Sequence, residues 1–86
     1  PAAGQLEAAL DAQPDLERVV DREARQPGDI LLLRFGGEPQ HVAILTDADT
    51  MIHSYANVGI CCEHRLSPVW AARIVRVYRF REVVAS

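Results

Sequence analysis

From Asp29 onward the chain alternates short apolar runs with short polar breaks. "DILLLRF" (29–35) is a continuous apolar run, followed by "HVAILT" (41–46), "MIHSYA" (51–56), "ICCEHRL" (60–66) and "IVRVYRF" (74–80). Runs of this length bounded by turn residues read as strands. The breaks are a loop at "GGEPQ" (36–40), an Asp-rich turn at "DADT" (47–50) and a turn at "NVG" (57–59). Connections this short join antiparallel neighbours, which predicts a meander of about five strands. In "SPVWAAR", Ser67 is a candidate N-cap and Pro68 suits the first helical position, so one helical turn is expected there.

The first part of the chain follows a different period. Leu6, Ala9 and Leu10 fall on one face of a helix, and Leu16, Val19 and Val20 on another. Pro14 interrupts the pattern, so two short helices are expected within residues 4–25. Asp15 and Glu17 at the start of the second suit the positive end of its dipole. Pro27-Gly28 then breaks the chain before the first strand. Helices first and strands after predict an α+β fold, helical over 1–26 and an antiparallel sheet over 27–82.

Composition narrows the class. Eighty-six residues, 49% of them hydrophobic, make one small folded domain. No apolar run approaches the roughly 18 residues of a membrane-spanning helix, so no membrane insertion is expected. The acidic opening lacks the basic-then-apolar pattern of a signal peptide. The net charge of −3 is unevenly laid out: residues 1–30 carry seven acids and three arginines, and residues 65–82 five arginines and one acid. Arginines alternating with apolar residues read as the solvated face of a strand. With an overall negative charge and no known nucleic-acid motif, nucleic acid is not an expected partner. Cys61 and Cys62 are adjacent, a spacing that disulfide geometry disfavours, so no internal disulfide is expected.

The candidate chemistry lies in "HVAILTDADTMIH", residues 41–53. Two histidines open one apolar strand and close the next, on the two arms of a predicted hairpin. Cross-strand and diagonal neighbours in such a hairpin lie roughly 5–8 Å apart. A histidine acting as a general base needs its second ring nitrogen held by an orienting group, and another histidine serves. The bland alternative is two partly exposed strand residues without a role. Zinc is a further alternative, with Cys61, Cys62, His64, His41 and His53 as possible ligands. Adjacent cysteines on a strand point to opposite faces, and no Cys-x-x-Cys or His-x-x-x-His spacing is present, so neither metal nor other cofactor is expected. Asp47 and Asp49 read as turn formers. Trp70 and Tyr78 read as core or groove-wall aromatics, and Tyr55 shares a strand face with His53.

Pro27-Gly28-Asp29, His41-Val42-Ala43-Ile44 and Met51-Ile52-His53 stand in the order shown by the NlpC family of papain-like cell-wall cysteine peptidases, which this chain resembles over residues 5–81. "VGICCEHRLSPVWAARIVRVYRF" is similar to the closing strands of the branch found in phage tails and gene-transfer particles. The resemblance implies a papain-like fold, with His41 as the catalytic base and His53 as the polar group orienting it. It implies hydrolysis of amide bonds in peptidoglycan stem peptides, typically at a γ-D-glutamyl bond, through a thiolate nucleophile and an acyl-enzyme. It further implies tail or baseplate proteins as partners and action on the cell wall, in the periplasm or outside the cell. In that family the nucleophilic cysteine precedes the Pro-Gly-Asp turn at the start of a helix, whereas residues 1–40 contain no cysteine. The expectation is that these 86 residues are the C-terminal portion of a larger catalytic domain whose nucleophile lies upstream of Pro1. The alternative is a non-catalytic, peptidase-like module that is structural or binds the wall. Cys62-Glu63-His64 also looks like the asparagine-cysteine-glutamate-histidine motif of lecithin–retinol acyltransferases, a permuted branch. There the cysteine lies tens of residues past the second histidine and opens a helix. Here it follows His53 by nine residues within a predicted strand, so Cys62 reads as a small apolar residue.

Overall fold

The long apolar runs settle into one antiparallel sheet. The computed structural model describes residues 5–35, 38–55 and 60–81. Its strands are β1 (Leu16–Arg18), β2 (Ile30–Phe35), β3 (Glu38–Asp47), β4 (Thr50–Tyr55), β5 (Ile60–Arg65) and β6 (Ile74–Phe80). Two short helices, α1 (Gln5–Asp11) and α2 (Pro68–Ala71), and a 3-10 turn at Arg22–Ala24 complete the described elements. The spatial order is β1-β6-β2-β3-β4-β5, with every neighbouring pair antiparallel. The molecule is an α+β domain with an open sheet.

The expected meander holds from β2 to β5, where each strand pairs with the next. It fails at β6, which crosses back to the far side of β2 and aligns Ile30 with Tyr78 and Leu31 with Val77. The composition of β2 explains this. Leu31, Leu32 and Leu33 are all fully buried, so both faces of β2 are covered. A strand apolar on both faces belongs in the middle of a sheet, with a partner on each side.

The expected second helix is absent. Leu16–Arg18 is an edge strand paired with Tyr78–Phe80, and Val19 donates its N–H to the Val77 carbonyl at 2.8 Å. The spacing of Leu16, Val19 and Val20 fits a helix, but β6 offers a row of backbone partners and Leu16 a place in the core. β-Branched Val19 and Val20 favour extended backbone as well. Val19 packs on the core while Val20 is 99% exposed, which no shared helical face would allow.

Two local departures bear on the site. The loop expected at 36–40 is shorter, because β3 already begins at Glu38; residues 36 and 37 lie outside the described residues. Leu33 aligns with His41 but Arg34 with Pro39, so Gln40 is an extra residue in the register and makes a bulge beside His41. A proline is tolerated in a strand at such a bulge. The turn expected at 57–59 falls outside the described residues. The predicted cap forms: Ser67 accepts the Trp70 N–H and Pro68 opens α2.

The sheet carries a core on each face. Leu31, Leu33, Ala43, Leu45, Met51 and Val77 form one, with Trp70 and Ala71 of α2 packed against it. Leu16, Ile30, Leu32 and Tyr78 form the other, covered by Leu6 and Leu10 of α1. The Pro27-Gly28-Asp29 turn anchors the start of β2. Gly28 adopts φ +93°, a left-handed conformation that side chains disfavour. Gly28 N–H donates to the Leu45 carbonyl at 2.6 Å, and Leu45 N–H donates to that of Asp29 at 2.9 Å. The buried Asp29 carboxylate accepts two hydrogen bonds from Arg79, each 2.9 Å, and one from the Gln26 N–H. This fork ties the turn to β6 and fixes β2, hence β3, in the sheet.

Candidate active site

Strand alternation decides which side chains meet. Ala43 on β3 stands opposite His53 on β4, so His41, two residues before Ala43, is diagonal to His53 on the same face. Met51 stands opposite His64 on β5, which puts His64 on that face too. Three neighbouring strands each bring one imidazole to one edge of the Leu31–Met51 core.

The rings form a continuous chain. His41 Nε2 lies 2.7 Å from His53 Nδ1, and His53 Nε2 lies 2.7 Å from His64 Nε2. His64 Nδ1 is 2.9 Å from the carbonyl oxygen of Arg65. Successive rings meet edge to face, with centroids 4.8 and 4.7 Å apart at 88° and 80°. His53, in the centre, is 3% exposed, while His41 and His64 are half-buried. The indole of Trp70 covers the inner end, 5.3 Å from the His53 ring and 4.9 Å from that of His64. The Arg73 guanidinium lies 5.8 Å from the Trp70 ring. Ser67 starts the helical turn that carries Trp70, so the cap also positions the wall of the site.

Burial disfavours charge on His41 and His53. It lowers the pKa of His41 below the ordinary 6.5. Burial is also the main cause of a lowered pKa at His53, reinforced by the like charge that His41 and His64 would carry. His41 and His53 are therefore neutral near pH 7. The geometry of the imidazole chain suits proton handling rather than metal binding: both nitrogens of His53 face other imidazoles at hydrogen-bond distance, leaving no room for an ion between them. Among the described residues no group of three or more His, Cys, Asp or Glu is arranged to hold a metal.

The structure thus brings His41 and His53 into contact. Sequence reasoning missed His64 as a member of the chain, weighing it only as a metal ligand and as part of Cys62-Glu63-His64. The signal was present, since a hairpin joining "MIHSYA" to "ICCEHRL" lays His64 near His53 on the same face. Cys62 is the register partner of His53 in the middle of β5, not at a helix start. The side chains of Tyr55, Cys61 and Cys62 lie outside the described residues. Tyr78 belongs to the core on the opposite face.

A family model described as NlpC/P60 family matches residues 5–79, most of the chain and all three histidines. No curated protein and no solved structure matches the chain.

Proposed function

The chain belongs to the NlpC/P60 family, whose members are in general cell-wall cysteine peptidases, and on that premise we propose that it is the base-bearing part of such an enzyme. The observation that carries this reading is the 2.7 Å contact between His41 Nε2 and His53 Nδ1. It is the arrangement by which a second polar ring orients a catalytic imidazole, here in a family that hydrolyses amides.

In the proposed reaction the other ring nitrogen of His41, Nδ1, takes the proton of a cysteine thiol. The thiolate adds to the carbonyl carbon of a stem-peptide amide. The tetrahedral intermediate collapses, and the leaving amine takes its proton from His41. Water then adds to the thioester, giving a proton to His41; collapse releases the acid and restores the thiol. A thiolate beside His41 would counter the pKa depression imposed by burial, because an opposite charge favours imidazolium. The nucleophile in this reading is a cysteine preceding Pro1 in a larger catalytic domain of papain-like fold. Cys61 and Cys62 lie in a strand, without the helix-terminal field that lowers a thiol pKa. The substrate bond is a γ-D-glutamyl amide, and the setting is a phage-tail-like or gene-transfer particle, assembled with tail or baseplate proteins and acting on the wall. The similarity of residues 58–80 to that branch supports this setting.

Thiol capping tests the proposal in the full natural protein. A Cys61→Ala/Cys62→Ala variant should keep hydrolysing purified stem peptide and should lose that activity to iodoacetamide. Loss of hydrolysis in the folded double variant would place the nucleophile in β5. Hydrolysis that survives capping would overturn the thiol mechanism.

A further inference from the structure

His64 has no part in the two-histidine reading, yet it ends the imidazole chain at a group whose role is unambiguous. A carbonyl oxygen only accepts. Arg65 therefore requires that His64 Nδ1 carry a hydrogen and donate it. A neutral His64 then has its lone pair on Nε2. His53 Nε2–H donates to that lone pair, which leaves the lone pair of His53 on Nδ1. His41 Nε2–H donates to Nδ1 of His53, and the lone pair of His41 is left on Nδ1. The polarity of all three rings follows from one backbone carbonyl.

We infer that His64 is a positioning residue, which acts through His53 to hold His41 in the tautomer whose Nδ1 accepts a proton. This rests on the peptidase reading for its consequence, though not for its geometry. With the chain so directed, His41 takes up a proton on Nδ1 while every other hydrogen stays in place, and the resulting imidazolium still donates through Nε2 to His53. In the reverse direction His53 Nδ1–H would donate to His41 Nε2, His41 Nδ1 would already carry hydrogen, and no base would face the thiol. β-Strand geometry supports the assignment: Arg65 is the last residue of β5, held opposite Thr50, and the next N–H, that of Leu66, is fixed to the Asp49 carbonyl at 2.6 Å. Trp70 packs on the rings of both His53 and His64, which keeps their planes from turning.

The test reads tautomers directly, by imidazole nitrogen NMR of the full natural protein labelled with 15N-histidine. In the native protein His64 should read as Nδ1–H, and His53 and His41 as Nε2–H. An Nε2–H reading at His64 would overturn the inference without any variant. His64→Leu removes the acceptor for His53 Nε2–H, so the chain should reverse and His41 should read as Nδ1–H. The kcat for stem-peptide hydrolysis should fall about a hundredfold with KM little changed, the range expected when a general base is lost. His64→Gln places an amide oxygen near the position of Nε2 and should restore both the His41 tautomer and most of the rate. Unchanged His41 tautomer and unchanged kcat in folded His64→Leu would also overturn the inference. If the native protein hydrolyses no stem peptide while the tautomers shift as described, the peptidase reading fails and the directing role of His64 stands.

Discussion

The two ends of the sheet partner their polar groups in opposite ways. At the β1–β6 end they are charged and paired. Asp11 accepts hydrogen bonds from Arg18 at 2.8 and 2.6 Å and from the Tyr78 hydroxyl at 2.9 Å, while Asp29 takes the fork of Arg79. The Arg18 guanidinium holds the Asp11 carboxyl below its usual range, and burial, then the Asp11 bond, pushes the Tyr78 hydroxyl up to about 12. Asp11 and Tyr78 thus keep one protonation state across the physiological range. At the β3–β5 end the polar groups are three imidazoles hydrogen-bonded in a row, of which His41 and His53 have lowered pKa values and are neutral near pH 7. Charge pairing ties the strands at one end, and a hydrogen-bonded row of imidazoles links β3, β4 and β5 at the other.

Substitutions at each end should therefore affect different properties. Short of removing the base itself, the largest effect on function is expected at the centre of the imidazole chain. His53→Leu should lower kcat for stem-peptide hydrolysis about a hundredfold, as a base without its orienting partner loses most of its contribution. Circular dichroism should show the sheet intact; an unchanged kcat would mean that His41 needs no orienter. At the other end, Asp29→Ala should act on stability. It removes the buried acceptor of three hydrogen bonds, and a drop in Tm on the order of ten degrees is expected by thermal melting. An unchanged Tm would show that the Pro-Gly-Asp turn holds without its fork.

Acidification should separate the ends without mutation. His41 and His53 have folded-state pKa values below the unfolded 6.5, so the unfolded chain takes up protons first as pH falls. Their contribution is intact above about pH 6.5 and is lost as pH drops through the lower folded values. Tm should thus fall between pH 7 and 5, and less steeply in His53→Leu; equal slopes would assign the acid sensitivity elsewhere. Asp11 has the same sign but a window below its ordinary 3.8. The smallest effect is expected for Tyr78→Phe, which deletes one hydrogen bond to Asp11 and should cost about 1 kcal/mol in denaturant unfolding with hydrolysis untouched.

The same contrast separates what the amino-acid sequence makes legible from what it hides. The hairpin of β3 and β4 is local, with a two-residue turn at Ala48-Asp49, so the pairing that joins His41 to His53 can be read from apolar runs and turn residues. The Ser67 cap and the span of β6, 74–80, are legible for the same reason. The return of β6 to β2 is not, because it depends on which strand has two apolar faces to cover rather than on the nearest neighbour in sequence. The stretch from Leu16 to Val20 misleads further: Leu16, Val19 and Val20 obey a helical period, and only the exposed edge of β6 makes Leu16–Arg18 a strand. The hairpin of "MIHSYA" with "ICCEHRL" signals that His64 is near His53, but its role depends on the exact register between β4 and β5 and on a single carbonyl, which the apolar runs do not fix.

In the proposed function the imidazole end of the sheet supplies the base of a cell-wall peptidase. Its most direct test is stem-peptide hydrolysis by the full natural protein carrying His41→Ala, with Tm measured alongside. The expected rate is lower by a factor of about 10²–10⁴ at a nearly unchanged Tm, because His41 is half-buried at the edge of the core and its loss leaves the charged end intact. A folded His41→Ala protein that hydrolyses stem peptide at the native rate would contradict it.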